Sequence, residues 1–267
     1  MAERLKGQDA GAWLHKLKPS NSNTRISVGG GPSARTSVGT SPVASPSQSG
    51  SSDNLGLTSD RLRLRMVERV RQQGVEHEGV LNALATVYRH RFVDPALASR
   101  AYEDGALPIG HGQTISQPWV VARMLAALCE QQVPTKVLEI GTGCGYQAAV
   151  MANVFSHVYT IERVRPLYDI AKARLRDAGL RNVHSQFGDG MLGWPAKAPF
   201  DAIVVAAAGL SIPQALLDQL AVGGKLIAPE GDKVQRLIMV TRQSEHQWVR
   251  NELEAVRFVP LKPGVQN

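Results

Sequence analysis

Three acidic residues follow one another at the ends of apolar runs, and the first of them opens a glycine-rich segment, Glu139-Ile140-Gly141-Thr142-Gly143-Cys144-Gly145. The run at 137–140 reads as a strand leading into that segment, and a helical pattern at 147–154 follows it. Glycines at a strand-to-helix turn permit a tight bend and let a ligand touch the backbone. The spacing G-x-G-x-G of Gly141, Gly143 and Gly145 differs from the G-x-G-x-x-G of dinucleotide sites. Glu139 stands two residues before the first glycine. A carboxylate there disfavours phosphate and suits a cationic ligand, unless it merely closes the strand.

Glu162 ends the second apolar run, 158–161, and lies 21 residues past Gly141. At that place in a nucleotide-binding sheet a carboxylate accepts hydrogen bonds from ribose hydroxyls. An isolated acid elsewhere would be plain surface. Asp189, between Gly188 and Gly190, follows a third run at 183–187. It either accepts from the exocyclic amine of an adenine or belongs to an ordinary turn. A ligand with adenine, ribose and a cationic centre but no phosphate satisfies all three acids, and S-adenosyl-L-methionine is such a molecule. Its expected contacts here are Glu139, Gly141, Thr142, Gly143, Gly145, Glu162, Asp189 and Gly190.

Positioning these residues takes alternating elements. Further apolar runs occur at 202–206, 225–228, 237–240 and 256–259, and helical patterns at 166–178 and 213–220. Pro166 and Pro213 stand early in their helices, where a missing N–H costs nothing. Continuous apolar runs joined by helices predict a mostly parallel sheet covered on both faces, a doubly wound α/β domain. Its ligand belongs beyond the C-terminal strand ends, where the strand order switches. Ahead of the sheet, Leu62, Leu64, Met66, Val67 and Val70 start a helix with Arg61, Arg63, Arg65, Arg69 and Arg71 between them, read as a solvated face. A second helix is expected near 76–85, then a loop through Pro108 and His111 to Thr114.

The chain has 267 residues, is 43% hydrophobic and carries a net charge of +7. That supports a sizeable core, while the scattered Lys and Arg argue against a nucleic-acid footprint. Two cysteines, Cys129 and Cys144, make neither a disulfide framework nor a zinc spacing, so no metal is expected and a reducing cytoplasm is the simplest home. No apolar run is long enough to span a membrane, and Met1-Ala2-Glu3-Arg4 leads into no secretory signal. Residues 19–59 are rich in Ser, Gly and Pro and lack aromatics, so 1–59 reads as a disordered tail and 60–267 as the folded domain. Trp13, Leu14 and Leu17 suggest one short amphipathic helix within that tail.

The glycine loop, the three acids, Asp201 and the Gly223-Gly224 turn resemble the Rossmann-like class I methyltransferase fold. Two further segments narrow the resemblance: Leu107-Pro108-Ile109-Gly110-His111-Gly112-Gln113-Thr114-Ile115-Ser116-Gln117-Pro118 and Glu254-Ala255-Val256-Arg257-Phe258-Val259-Pro260-Leu261. Together they are similar to the bacterial type of the protein-L-isoaspartate O-methyltransferase family, over roughly residues 61–263. That resemblance implies methyl transfer to the free carboxylate of an isoaspartyl residue in a damaged protein or peptide. The ester then collapses to a succinimide that partly reopens to normal aspartate. It also implies Ser116 as the active-site residue and Thr114 and Ile115 as cofactor or acceptor contacts, with 256–259 pairing with the substrate backbone. Ser116 would donate to the carboxylate; equally, it could cap a helix expected at 117–128. His111 reads as a loop residue and Cys144 as a small filler. A monomer is expected. The rival readings are a small-molecule methyltransferase on the same fold and a non-catalytic module that recognises damaged proteins.

Overall fold

Met66, Val67 and Val70 fall on one face of a helix, and that face is buried in α1 (Ser52–Gln72) against α2 (Glu78–Thr86). The computed structural model describes residues 52–267. Most of the expected tail, with the segment around Trp13, lies outside the described residues. Residues 52–59 do not belong to a tail, because α1 already starts at Ser52. Ser52 and Asp53 are residue types that favour a helix start. The arginines of α1 are not one solvated face either. Arg61 and Arg65 are exposed, but Arg63 is buried, paired with Asp60 at 2.9 Å and stacked 4.1 Å over the Tyr88 ring.

The expected loop around His111 is a hairpin. Strand β1 (Leu107–Gly110) pairs antiparallel with β2 (Gln113–Ile115). Gly110, His111 and Gly112 turn between them with φ of 88°, 52° and 68°, left-handed conformations that glycine adopts without strain. The hairpin leads into α3 (Pro118–Cys129), whose length and apolar residues match the helix expected at 117–128.

The main sheet then begins with β3 (Lys136–Ile140), followed by α4 (Tyr146–Ala152), β4 (His157–Glu162), α5 (Arg165–Asp177), β5 (Val183–Phe187), β6 (Phe200–Val205), α6 (Gln214–Asp218), β7 (Leu220–Gly231), β8 (Gln235–Ser244) and β9 (Gln247–Val256). Its strand order is β5-β4-β3-β6-β7-β8-β9. The pairs from β5 to β7 are parallel, and β7-β8 and β8-β9 are antiparallel. Period-two alternation splits the side chains between two cores. Val137, Val158 and Val204 pack with α3 and α4, whereas Leu138, Ile140 and Val205 pack with Leu216 of α6. Full burial of each such side chain contributes roughly 1.5–3 kcal/mol. Asp201 joins the strand starts, accepting from the backbone N–H groups of Thr135 and Lys136 at 3.0 and 2.9 Å.

The run at 256–259 is not the last strand. That strand, β9, precedes it and carries Arg250, Glu252 and Glu254 along a free sheet edge. Charges on an edge strand discourage further pairing and break the apolar run that marks a buried strand. Residues 257–266 instead return toward the sheet. Ala208 donates to the Val259 carbonyl and accepts from Leu261 N–H, and Gln266 bonds the backbone of Arg163 and Arg165.

At the switch between β3 and β6, Glu139 lies beneath the glycine loop rather than in it. It is wholly buried and accepts from the Thr160 hydroxyl at 2.5 Å, which in turn meets the Thr142 hydroxyl at 2.5 Å. Its second oxygen makes no hydrogen bond among the described residues, although the Gln147 amide lies alongside. The Glu139 side chain is not among those lining the cavity at the strand ends, although Thr142, at the far end of this hydroxyl chain, is. Burial pushes this carboxyl up to about 7; the Thr160 and Gln147 contacts oppose the rise and the Glu162 charge adds to it. The folded protein therefore holds this proton more tightly than the unfolded chain, where glutamate titrates near ~4.3. The resulting stabilisation is present below that value and is lost as pH rises through about 7. Across this window it amounts to on the order of 3 kcal/mol. Glu139→Gln is expected to flatten that part of the profile. Thermal unfolding at pH 5 and pH 8 checks it, and an equal fall in Tm for the parent and the variant refutes it.

Candidate active site

Backbone geometry at the strand ends builds a cavity. After β3 the chain turns at Gly141, φ 93°, whose N–H donates to the Ile161 carbonyl at 2.9 Å. Ala206, just past β6, donates to the Ile140 carbonyl at 2.8 Å. Beyond these joined strand ends lies a cavity of about 80 Å³, which widens to about 830 Å³ when the solvent at its mouth is counted.

Glu162 lines this cavity while 4% exposed. Its two oxygens accept from Val164 N–H at 2.9 Å and Gly143 N–H at 2.8 Å. An ionised carboxylate offers about four acceptor positions, so two remain for a ribose diol. Gly190 forms part of the opposite wall. A Cβ there would come within 2.5 Å of Ile140 Cγ2, so the backbone approaches the strand end as only glycine allows. Gly141, Thr142 and Gly143 line the cavity as expected, together with Thr114, Ile115 and Ser116 from the far end of the β1–β2 hairpin. These residues fit S-adenosylmethionine: a buried acid for the ribose, a glycine wall for close approach, and a polar end at Ser116.

Three expected contacts do not line the cavity. Glu139 lies beneath it, as described above. Gly145, φ 91°, is the N-cap of α4, and its Cα faces Ala171 and Leu175 of α5, where a Cβ would sit at 3.4 Å. Its glycine requirement comes from that left-handed φ, since a Cβ at 3.4 Å would be in ordinary contact. Asp189 accepts from Met191 N–H at 2.9 Å, capping a short 3-10 turn, and from Gly264 N–H at 2.6 Å. The C-terminal segment thus binds one oxygen of this carboxylate, through a partner 75 residues away that spacing along the chain cannot reveal.

Ser116 is half-buried and lies at the junction of the cavity and an adjoining groove, which also takes in Gln117, Arg257 and Phe258. It is not a helix cap. Pro118 at the first position of α3 makes Gln117 the N-cap, and no side chain caps that end. A proline restricts the residue before it to an extended backbone, so the helix cannot start earlier. The Ser116 hydroxyl is therefore not spent on α3.

Other lining residues include part of the segment 254–261 that the family resemblance picked out. Val259, Pro260, Leu261 and Lys262 close one side of the cavity. Arg163 also lines it, yet its guanidinium reaches the Gly264 carbonyl at 2.9 Å and so helps tether that segment. Tyr146 lies behind the loop, fully buried, with Arg89 at 4.7 Å over its ring. Burial pushes the tyrosine up to about 12 and raises the Cys144 thiol as well, so neither is primed to react. His111 is exposed at the hairpin tip.

Comparison with known proteins gives the same direction. The sequence profile described as protein-L-isoaspartate(D-aspartate) O-methyltransferase (PCMT) matches residues 61–266. A protein-L-isoaspartate O-methyltransferase of Bordetella parapertussis is 59% identical over 268 residues, covering 100% of both chains, so the likeness extends through the N-terminal stretch. One from Bordetella avium is 60% identical over 256 residues, 95% of this chain and 93% of the relative. Among solved structures, a putative protein-L-isoaspartate O-methyltransferase from Plasmodium falciparum, in complex with S-adenosyl-L-homocysteine, superposes with a TM-score of 0.66 at 27% identity, covering 75% of this chain and 98% of that one. With the profile spanning the whole sheet and both segments that wall the cavity, this chain belongs to the protein-L-isoaspartate O-methyltransferase family.

Proposed function

We propose how this chain carries out its family's reaction, methyl transfer from S-adenosylmethionine to the free carboxylate of an L-isoaspartyl residue, the step that starts repair. The observation that carries the assignment is Ser116, a hydroxyl free of capping duty at the junction of cavity and groove. S-adenosylmethionine supplies a methyl group on a sulfonium, a leaving group that needs no acid. Glu162 and the backbone at Gly141, Thr142, Gly143 and Gly190 hold its nucleoside part, with Thr114 and Ile115 on the side facing the acceptor. Ser116 donates to one oxygen of the substrate carboxylate and orients the other for in-line attack. A carboxylate with a pKa near ~4 is ionised at neutral pH, so no general base is required. Orientation of this kind can contribute roughly 7–11 kcal/mol.

The substrate is read as an isoaspartyl segment of a protein or peptide because Ser116 opens onto a groove at the surface, not onto a closed apolar chamber. We read the enzyme as a monomer, and as cytoplasmic, since its two cysteines are buried free thiols. No helix among the described residues is long and apolar enough to cross a membrane. Dispersed Lys and Arg favour proteins over nucleic acid as partners. The catalytic domain expected at 60–267 is taken to reach back to the start of α1 at Ser52, with the residues before it as an appended tail.

Paired peptides test the reading. An isoaspartyl peptide should accept labelled methyl while its normal aspartyl counterpart does not, and equal labelling overturns the specificity. Ser116→Ala should lower kcat about 10- to 100-fold, given ~1.5–3 kcal/mol for a hydrogen bond to a charged group. Its affinity for S-adenosylhomocysteine should be unchanged; a parallel loss of that affinity would move Ser116 out of the acceptor role. Glu162→Ala should weaken S-adenosylhomocysteine binding by about 1.5–3 kcal/mol. Calorimetry reads this directly, and an unaltered Kd rejects the ribose assignment.

A further inference from the structure

The groove beyond Ser116 contains one charge. Its polar lining residues are Thr114, Ser116, Gln117 and Arg257, and all but Arg257 are uncharged. The acids nearest in sequence are taken by other cations: Glu252 by Arg236 at 2.9 Å and Glu254 by Arg123 at 2.6 Å. Arg257 itself is exposed and makes no ion pair among the described residues.

Its backbone position is nevertheless well held. The Gln235 amide grips Phe258 from both sides, accepting from its N–H at 2.7 Å and donating to its carbonyl at 3.3 Å. Val259 and Leu261 are bonded to Ala208, two residues past the Ala206 that lines both cavity and groove. A guanidinium on a fixed backbone, with no acid of its own among the described residues, lining the same groove as the proposed acceptor hydroxyl, suits an anionic ligand that enters from solvent.

Resting on the function proposed above, we infer that Arg257 is a substrate-binding residue that pairs with the isoaspartyl carboxylate being methylated. Pairing through one oxygen leaves the other to attack. The new bond joins that oxygen to the methyl carbon as the carbon–sulfur bond breaks, and the electron pair of the broken bond stays on sulfur. The carboxylate becomes a neutral ester, so the ion pair with Arg257 is lost at the moment of transfer. The same arginine therefore selects charged substrate over neutral product and favours product release. Because the ionic part of the attraction extends through water, it should weaken as salt is added.

Steady-state kinetics of the full chain with isoaspartyl peptides test this. Arg257→Ala should raise the peptide KM about 2- to 5-fold, the scale of one solvent-accessible charge pair. Its kcat should stay within about twofold, and Arg257→Lys should recover part of the loss, since a lysine keeps the charge without the fork. Salt should raise KM less steeply in Arg257→Ala than in the parent. Two peptides, one with a glutamate beside the isoaspartate and one with an alanine there, should suffer the same KM penalty. An unchanged KM overturns the inference, as does an equal loss of S-adenosylhomocysteine affinity by calorimetry. A penalty confined to the glutamate peptide also overturns it, because Arg257 would then read the neighbour and not the reacting group. Parent protein that fails to methylate either peptide overturns the underlying function instead.

Discussion

The site depends on how backbone N–H groups at the ends of parallel strands are satisfied. Where β3 and β4 stop, their last amides and carbonyls have no continuing ladder, and leaving them unpaired would cost about 1–3 kcal/mol each. Gly141 and Thr142 donate to Ile161, Ala206 donates to Ile140, and the Glu162 carboxylate takes Gly143 and Val164. Those bonds bend the glycine loop away from the sheet and leave room between the strand ends. A single carboxylate thus shapes the loop and faces the cavity with unused acceptor positions.

Around that frame the remaining walls come from distant parts of the chain. The β1–β2 hairpin carries Thr114, Ile115 and Ser116 to the cavity from one side. Residues 257–266 close another side, held through Ala208, Arg163 and Asp189. The acceptor groove lies where the two meet, which explains why its lining combines Ser116 with Arg257 and Phe258. The chemistry asked of these residues is modest, since the nucleophile arrives ionised and the leaving group needs no proton. Placement is the main demand, and a cavity fixed by backbone hydrogen bonds meets it.

Much of the sheet was legible because buried parallel strands are continuous apolar runs. The runs at 137–140, 158–161 and 183–187 lie within β3, β4 and β5. Edge strand β9 was not legible because Arg250, Asn251, Glu252 and Glu254 interrupt its apolar residues and leave no such run. The start of α1 was missed because a tail rich in Ser and Gly masks a helix whose stability comes from packing farther along it. Ser116 was shifted by one position from the helix cap by the restriction that Pro118 imposes.

Among the acids the division is sharper. Composition and local pattern determined the class of fold, the glycine loop and Glu162, because these follow from burial, chirality and the strand-to-helix turn, all of which act over a few residues. The hydrogen-bond partners of Glu139 and Asp189 were decided only by tertiary structure. Glu139 pairs with Thr160 because β3 and β4 align Glu139 opposite that residue. Asp189 is bound by Gly264 because the last residues of the chain fold back across it. Spacing along a sequence can show that a carboxylate sits near a strand end, but which donor it meets depends on what packs against that end.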